Sequence, residues 1–138
     1  MRRLTTFLCA ALALPAAAAA HPHHGAFQGS YQVVALGGGQ QKPAVRQTIT
    51  FSREGTVSGN GGCNSFRGSY QIQGQAIIVG DVLMTRRACG EAVMQTEQRF
   101  MRALQSIRLV QETGNGGLRF SAKGGAHILT LAPISRAD

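Results

Sequence analysis

Apolar and polar residues alternate with a period of two through most of the chain beyond residue 26. From Phe27 to Leu36, the side chains of Phe27, Gly29, Tyr31, Val33 and Ala35 fall on one side. Val45, Gln47, Ile49 and Phe51 alternate with Arg46, Thr48 and Thr50, the pattern of a half-buried strand. Arg53-Glu54-Gly55-Thr56 reads as a turn, and Val57 leads into a glycine cluster. Arg67 to Gln73 and Gln75 to Val79 flank Gly74, which predicts a tight hairpin. Three closing strands are expected at Ile107 to Gln111, Leu118 to Ser121 and Ala126 to Ala132, separated by Gly114-Asn115-Gly116-Gly117 and Lys123-Gly124-Gly125. Short strands at this spacing predict a sandwich or small barrel.

One segment changes period. From Glu91 to Ser106, the residues Val93, Met94, Phe100, Met101, Leu104 and, just beyond, Ile107 follow helical spacing, with Gln95, Arg99, Arg102 and Ser106 opposite. The expected element is an amphipathic helix that caps the sheet or plugs one end of a barrel. Helical geometry sets Glu97 near the middle of its apolar face. A carboxylate there needs hydrogen bonds or a cation. Its candidate partners are Arg67, Arg86 and the N–H groups of the glycine cluster, and a structural anchor is the expected role.

The start of the chain reads as an address. Arg2 and Arg3 precede an apolar run from Leu4 to Leu14, Pro15 breaks it, and Ala18-Ala19-Ala20 offers a cleavage site before His21. Residues 1–20 are therefore expected to be a Sec-type signal peptide, 21–26 a flexible His-containing tail and 27–134 a single domain, in a periplasmic or secreted protein. The apolar run is too short and Ala-rich to predict a membrane span, and no second apolar segment follows it. Removing Arg2 and Arg3 lowers the formal charge from +8 to +6, still basic enough to attract anionic envelope components. Arg is scattered and no nucleic-acid-binding module is recognisable, so nucleic acid is not an expected partner. Beyond the leader, Cys63 and Cys89 are the two remaining cysteines, and an even pair in an exported chain is most simply a disulfide.

The residues Val57-Ser58-Gly59-Asn60-Gly61-Gly62-Cys63-Asn64-Ser65-Phe66-Arg67-Gly68-Ser69-Tyr70 are followed by Thr85-Arg86-Arg87-Ala88-Cys89. Then Met94, Glu97, Phe100, Ala103 and Leu104 come at helical spacing. This order resembles the META domain family, that of HslJ-like heat-shock proteins, over roughly Phe27 to Pro133. The resemblance implies a small antiparallel β-barrel-like domain with one packed helix. It also implies an envelope location, an association with stress or antibiotic tolerance, and no established enzymatic activity. The matching positions are Gly59, Asn60, Gly62, Cys63, Asn64, Gly68, Tyr70, Thr85, Cys89, Glu97 and Leu104, most of them structural. The glycines permit positive φ and close backbone approach, the asparagines bond local backbone, and the cysteines staple the loop to the start of the helix. The chain departs from the family in having no Trp, with Tyr31 in the place of a first-strand Trp, and in having Arg at position 87.

Other chemistry is sparse. The glycine cluster lacks the Gly-Lys-Ser/Thr ending of a phosphate cradle. His21, His23 and His24 could hold Cu(II) or Ni(II), although Pro22, having no N–H, blocks the square-planar amino-terminal arrangement. A polar tail left by the export signal is the plainer reading. His127 lies in an alternating strand, and Asp81, Glu91 and Glu97 show no paired-carboxylate spacing. The expected protein is thus no enzyme, needs no cofactor and is monomeric. It binds an envelope protein, peptide or lipid through an apolar groove beside the helix, lined by residues such as Val93, Met94, Phe100 or Met101, with Arg86 and Arg87 at the rim. The alternative is a copper-binding envelope protein that uses the His cluster.

Overall fold

The computed structural model describes residues 27–38 and 42–135. The signal-peptide and His-tail expectations concern residues outside that range. Among the described residues, eight strands and one helix follow in order: β1 (Gly29–Leu36), β2 (Thr48–Phe51), β3 (Thr56–Asn60), β4 (Ser65–Gln73), β5 (Ala76–Met84), α1 (Glu91–Ser106), β6 (Leu109–Glu112), β7 (Leu118–Ser121) and β8 (His127–Pro133). Each strand pairs antiparallel with its neighbour in sequence, and β8 returns to β1, so the sheet closes into an up-and-down barrel. Closure removes most sheet edges.

The alternating pattern becomes the two faces of the barrel wall. Tyr31, Val33 and Ala35 of β1 are buried, and so are Phe66, Tyr70 and Ile72 of β4. Tyr31 therefore does occupy an inner position of the first strand. An aromatic cluster fills the interior. Phe27 meets Phe51 edge-on at 5.2 Å between ring centroids, Phe51 meets Tyr70 at 5.2 Å, and Phe120 packs on both Phe27 and Phe51. Such edge and tilted pairs add to area burial. The Tyr70 hydroxyl donates to the Ser52 carbonyl at 2.7 Å, which satisfies its polar end. Burial pushes the pKa of both Tyr31 and Tyr70 up.

Two elements run further than the sequence pattern indicated. The strand beginning at Thr56 continues through Ser58, Gly59 and Asn60 into the glycine cluster. Gly59 serves close approach there: a Cβ on it would lie 2.0 Å from the Thr48 carbonyl oxygen. Likewise β5 does not stop at Val79. Gly80 and Asp81 look like a break, but the strand passes them with a shift of register against β4 between Gly68 and Tyr70, and runs on to Met84. A bulge of this kind adds a residue without ending a strand.

Helix α1 spans the predicted residues and buries Phe100, Met101 and Leu104 in the core, with the Phe100 ring tilted against Phe66 at 5.6 Å between centroids. No side chain caps its start, where the Gly90 carbonyl accepts from the Val93 and Met94 N–H groups. At its end, Arg108 donates to the carbonyls of Gln105 (2.9 Å) and Ile107 (2.6 Å), covering acceptors that the last turn leaves open. The chain then enters β6 directly.

Candidate functional site

The glycine loop between β3 and β4 is built around the Glu97 carboxyl group. Glu97 projects from the buried face of α1 and is only 3% exposed. Its Oε2 accepts from the backbone N–H of Cys63 at 2.9 Å and of Asn64 at 2.5 Å. Its Oε1 accepts from Asn64 Nδ2 at 2.7 Å. Three N–H donors thus replace the water that the carboxylate gave up. The partner is the loop itself, rather than Arg67 or Arg86. Gly61 lies so close that a Cβ on it would stand 2.9 Å from Glu97 Cγ. The loop holds its own shape through Asn60, whose Oδ1 accepts from the Gly62 N–H at 2.8 Å, and through the Gly61 N–H donating to the Asn64 carbonyl at 2.8 Å. Gly62 has φ +123°, a conformation open to glycine.

Asn64 carries the network outward. Its Oδ1 accepts from Thr85 Oγ1 (2.9 Å) and from the Arg87 N–H (2.6 Å), and Thr85 Oγ1 in turn accepts from the Ser65 N–H at 3.1 Å. The Cys63–Cys89 disulfide spans 6.1 Å between Cα atoms and closes the same circuit covalently. A glycine loop, the end of β5 and the helix are therefore fixed to one another by a single polar knot. Gln47 extends it: its Nε2 donates to the Gly61 carbonyl at 2.7 Å. Gln47 and Gly61 were not among the expected site residues, although a fully buried glutamine on the apolar side of an alternating strand is a legible signal of an internal hydrogen bond.

Of the expected motif residues, Asn60, Gly62, Cys63, Asn64, Thr85, Cys89 and Glu97 come together in this knot. The others serve the barrel wall. Gly68 lets β5 pass, because a Cβ there would meet the Asp81 carbonyl oxygen at 2.8 Å. Tyr70 belongs to the aromatic cluster, and Leu104 is fully buried. Arg86 and Arg87 are exposed and Met94 is half-buried, as a surface reading requires. Met101 is not at the surface: it is 8% exposed and packs in the core with Phe100. It shares a helical face with Met94, but α1 is buried more deeply in its C-terminal half, so only the N-terminal half of that face reaches solvent.

A cleft of about 600 Å³ opens beside the knot, between the end of β5 and the start of α1. Val82, Met84, Arg86 and Arg87 form one wall, Met94 the other, and Asn64 and Glu97 the floor. At the other end of β5 from this cleft, the barrel seam is thin. Among the described residues, β5 and β6 share one registered pair, Ala76 with Leu109, joined by hydrogen bonds from Ile77 N–H to the Arg108 carbonyl and from Val110 N–H to the Gln75 carbonyl. Beyond it, no strand among the described residues lies beside the outer edge of β5. Four of the five large apolar side chains exposed among the described residues lie on these two strands: Ile78, Leu83 and Met84 on β5 and Leu109 on β6, with Leu83 79% exposed. His127 stands elsewhere, on β8. Its Nε2 shares a hydrogen bond with Thr130 Oγ1 at 2.9 Å, and burial together with the Arg119 charge pushes its pKa down. Among the described residues, no three His, Cys, Asp or Glu side chains cluster as a metal site, and the histidines of the copper alternative lie outside the described range.

The META domain profile matches residues 25–133. The chain belongs to the META domain family. Solved structures share the fold. An NMR structure of a protein from Burkholderia xenovorans is 25% identical, with a TM-score of 0.63 over 80% of this chain and 84% of that one. A crystal structure of a DUF4847 family protein from Bacteroides vulgatus is 17% identical, with a TM-score of 0.57 over 76% of this chain and 92% of its own. No match is found among curated proteins. In this META domain, then, the glycine-cysteine motif that marks the family is the part that grips Glu97. No helix among the described residues is long and apolar enough to cross a membrane.

Proposed function

We propose that this META domain is a non-enzymatic, exported binding module that acts in the cell envelope, in stress or antibiotic tolerance, by holding an extended peptide segment of another envelope protein along β5. The observation that carries this reading is the outer edge of β5, which beyond Ala76 has no strand partner among the described residues and is flanked by exposed Leu83 and Met84. An open edge offers main-chain hydrogen bonds to an added strand, and alternate side chains of that strand find apolar contacts. Helix α1 forms the far side of the cleft and presents Met94, an adaptable apolar surface. Arg86 and Arg87 at one end favour an acidic residue in the bound segment, and exposed Asp81, further back along β5, favours a basic one. The knot below holds the cleft walls in place, so little ordering cost remains for the protein on binding. The Cys63–Cys89 disulfide supports export, because such bonds persist in oxidising compartments.

The test is selection of a nine-residue peptide library on the folded protein, followed by NMR mapping of the enriched peptides. Enriched sequences should perturb Ile78 to Arg87 and Met94, and Leu83→Asp should weaken them at least tenfold with unfolding unchanged. Perturbations confined to another face, or peptides indifferent to Leu83→Asp, would overturn the reading.

A further inference from the structure

On the opposite side of α1 lies a second concavity, of about 380 Å³, between the helix and the barrel wall formed by β1 and β8. Its floor is apolar: Leu36 from β1, Ile128 from β8, and Ala103 from the helix. Leu36 and Ile128 rest on the barrel core, so this floor is well supported. Its rim is cationic. Arg99 and Arg102 stand one turn apart on α1, and Lys42 faces them from the chain segment before β2. None of the ten described residues that line it carries a carboxyl group. One cation is also partly held in place: Arg99 Nη2 donates to Thr96 Oγ1 at 3.4 Å, while the Thr96 hydroxyl donates to the Ala92 carbonyl at 2.9 Å.

We propose that this pocket binds an anionic amphiphile, with its acidic head between Lys42, Arg99 and Arg102 and its aliphatic body on Leu36, Ala103 and Ile128. Three cations gathered with no carboxylate among the described lining residues repel one another, and an anion relieves that repulsion. Guanidinium groups match carboxylate and phosphate oxygens in a two-pronged geometry. The volume falls in the range of small-molecule sites, and an apolar floor under a few polar groups is their usual composition. Inorganic phosphate would satisfy the rim and leave the floor wet; a neutral amphiphile would do the reverse. The same chemistry has two sources, a free fatty-acid-like anion or an acidic lipid headgroup in a membrane.

Sodium decanoate, inorganic phosphate, neutral decyl maltoside, and vesicles of phosphatidylglycerol or phosphatidylcholine serve as probes. NMR titration follows the soluble ligands and sedimentation follows the vesicles. Saturable decanoate binding that perturbs Leu36, Ala103 and Ile128 is expected, with phosphate and the maltoside at least tenfold weaker. Arg99→Gln with Arg102→Gln should reduce decanoate affinity at least tenfold without lowering the unfolding midpoint. Ala103→Phe, which fills the floor and keeps every charge, should reduce it similarly. Binding to phosphatidylglycerol vesicles alone, lost in the same variants, would support the site and assign the anion to a membrane lipid. Absence of response to both decanoate and phosphatidylglycerol, or a response equal in the variants, would overturn the proposal. So would shifts confined to the β5 cleft, an outcome that leaves the peptide reading standing.

Discussion

The two ends of this barrel are held by different physics. Around Phe51 and Phe120 the interior is aromatic and close-packed, with Phe27, Tyr70 and Tyr31 adding ring contacts. Around Glu97 the interior is polar: one carboxyl group, three N–H donors, an asparagine that bonds in four directions, and a disulfide. The aromatic end gains its free energy from area removed from water, which tolerates small displacements. The polar end gains little net free energy per bond and loses heavily when a bond is missing. Its contribution is therefore position. The first end makes the domain stable; the second decides where the helix and the end of β5 stand, and hence the shape of the cleft between them.

The contrast breaks most sharply at Phe100, the fully buried ring that α1 adds to the core. Phe100→Ala should cost about 3–5 kcal/mol in urea unfolding. If the loss is of packing alone, amide signals of Gly61 to Asn64 in the folded variant should stay near their wild-type positions. Next in size, Glu97→Gln should cost about 2–3 kcal/mol, because the new amide must point a donor at a donor. Here the NMR signals of Cys63, Asn64 and Arg87 should move strongly while those of Phe51 and Phe120 do not. An equal spread of change across both ends would erase the distinction. The smallest effect concerns His127, outside both regions. Its folded pKa is lowered by burial and by Arg119, so the unfolded chain takes up the proton first as pH falls. Stability from this group is present above pH 6.5 and declines as pH drops through about 6.5. His127→Gln should remove that part of the decline when unfolding midpoints are compared at pH 7.5 and 5.5.

Much of this was legible in the chain. Period-two alternation located the strands, and the change of period at Glu91 located the helix, because burial on one face leaves that trace in any sequence. Glu97 stood out as a charge on an apolar stripe and is the anchor it was expected to be. Less legible was what depends on distance between remote backbones. Gly59 reads as part of a loop, yet it sits within a strand where the Thr48 carbonyl leaves no room for a Cβ. Met101 follows the same spacing as Met94, and the pattern does not record how deeply a helix sinks along its length. The basic pocket joins Lys42 to Arg99 and Arg102 across more than fifty residues, a juxtaposition that only the closed barrel creates.

The thin seam between β5 and β6 also bears on how the domain comes apart. Counted from that seam, the barrel is an open eight-stranded sheet running β6-β7-β8-β1-β2-β3-β4-β5, whose two outer strands are tacked together around Ala76 and Leu109. Every other neighbouring pair is consecutive in the chain or, for β8 with β1, joined along five registered positions. Opening at the tack would uncoil the sheet without breaking any other ladder, so among openings of the barrel wall a parting of β5 from β6 breaks the fewest strand pairs. The disulfide and the Glu97 bonds lie on the β5 side of that gap, so the helix would travel with β5 as the gap widens.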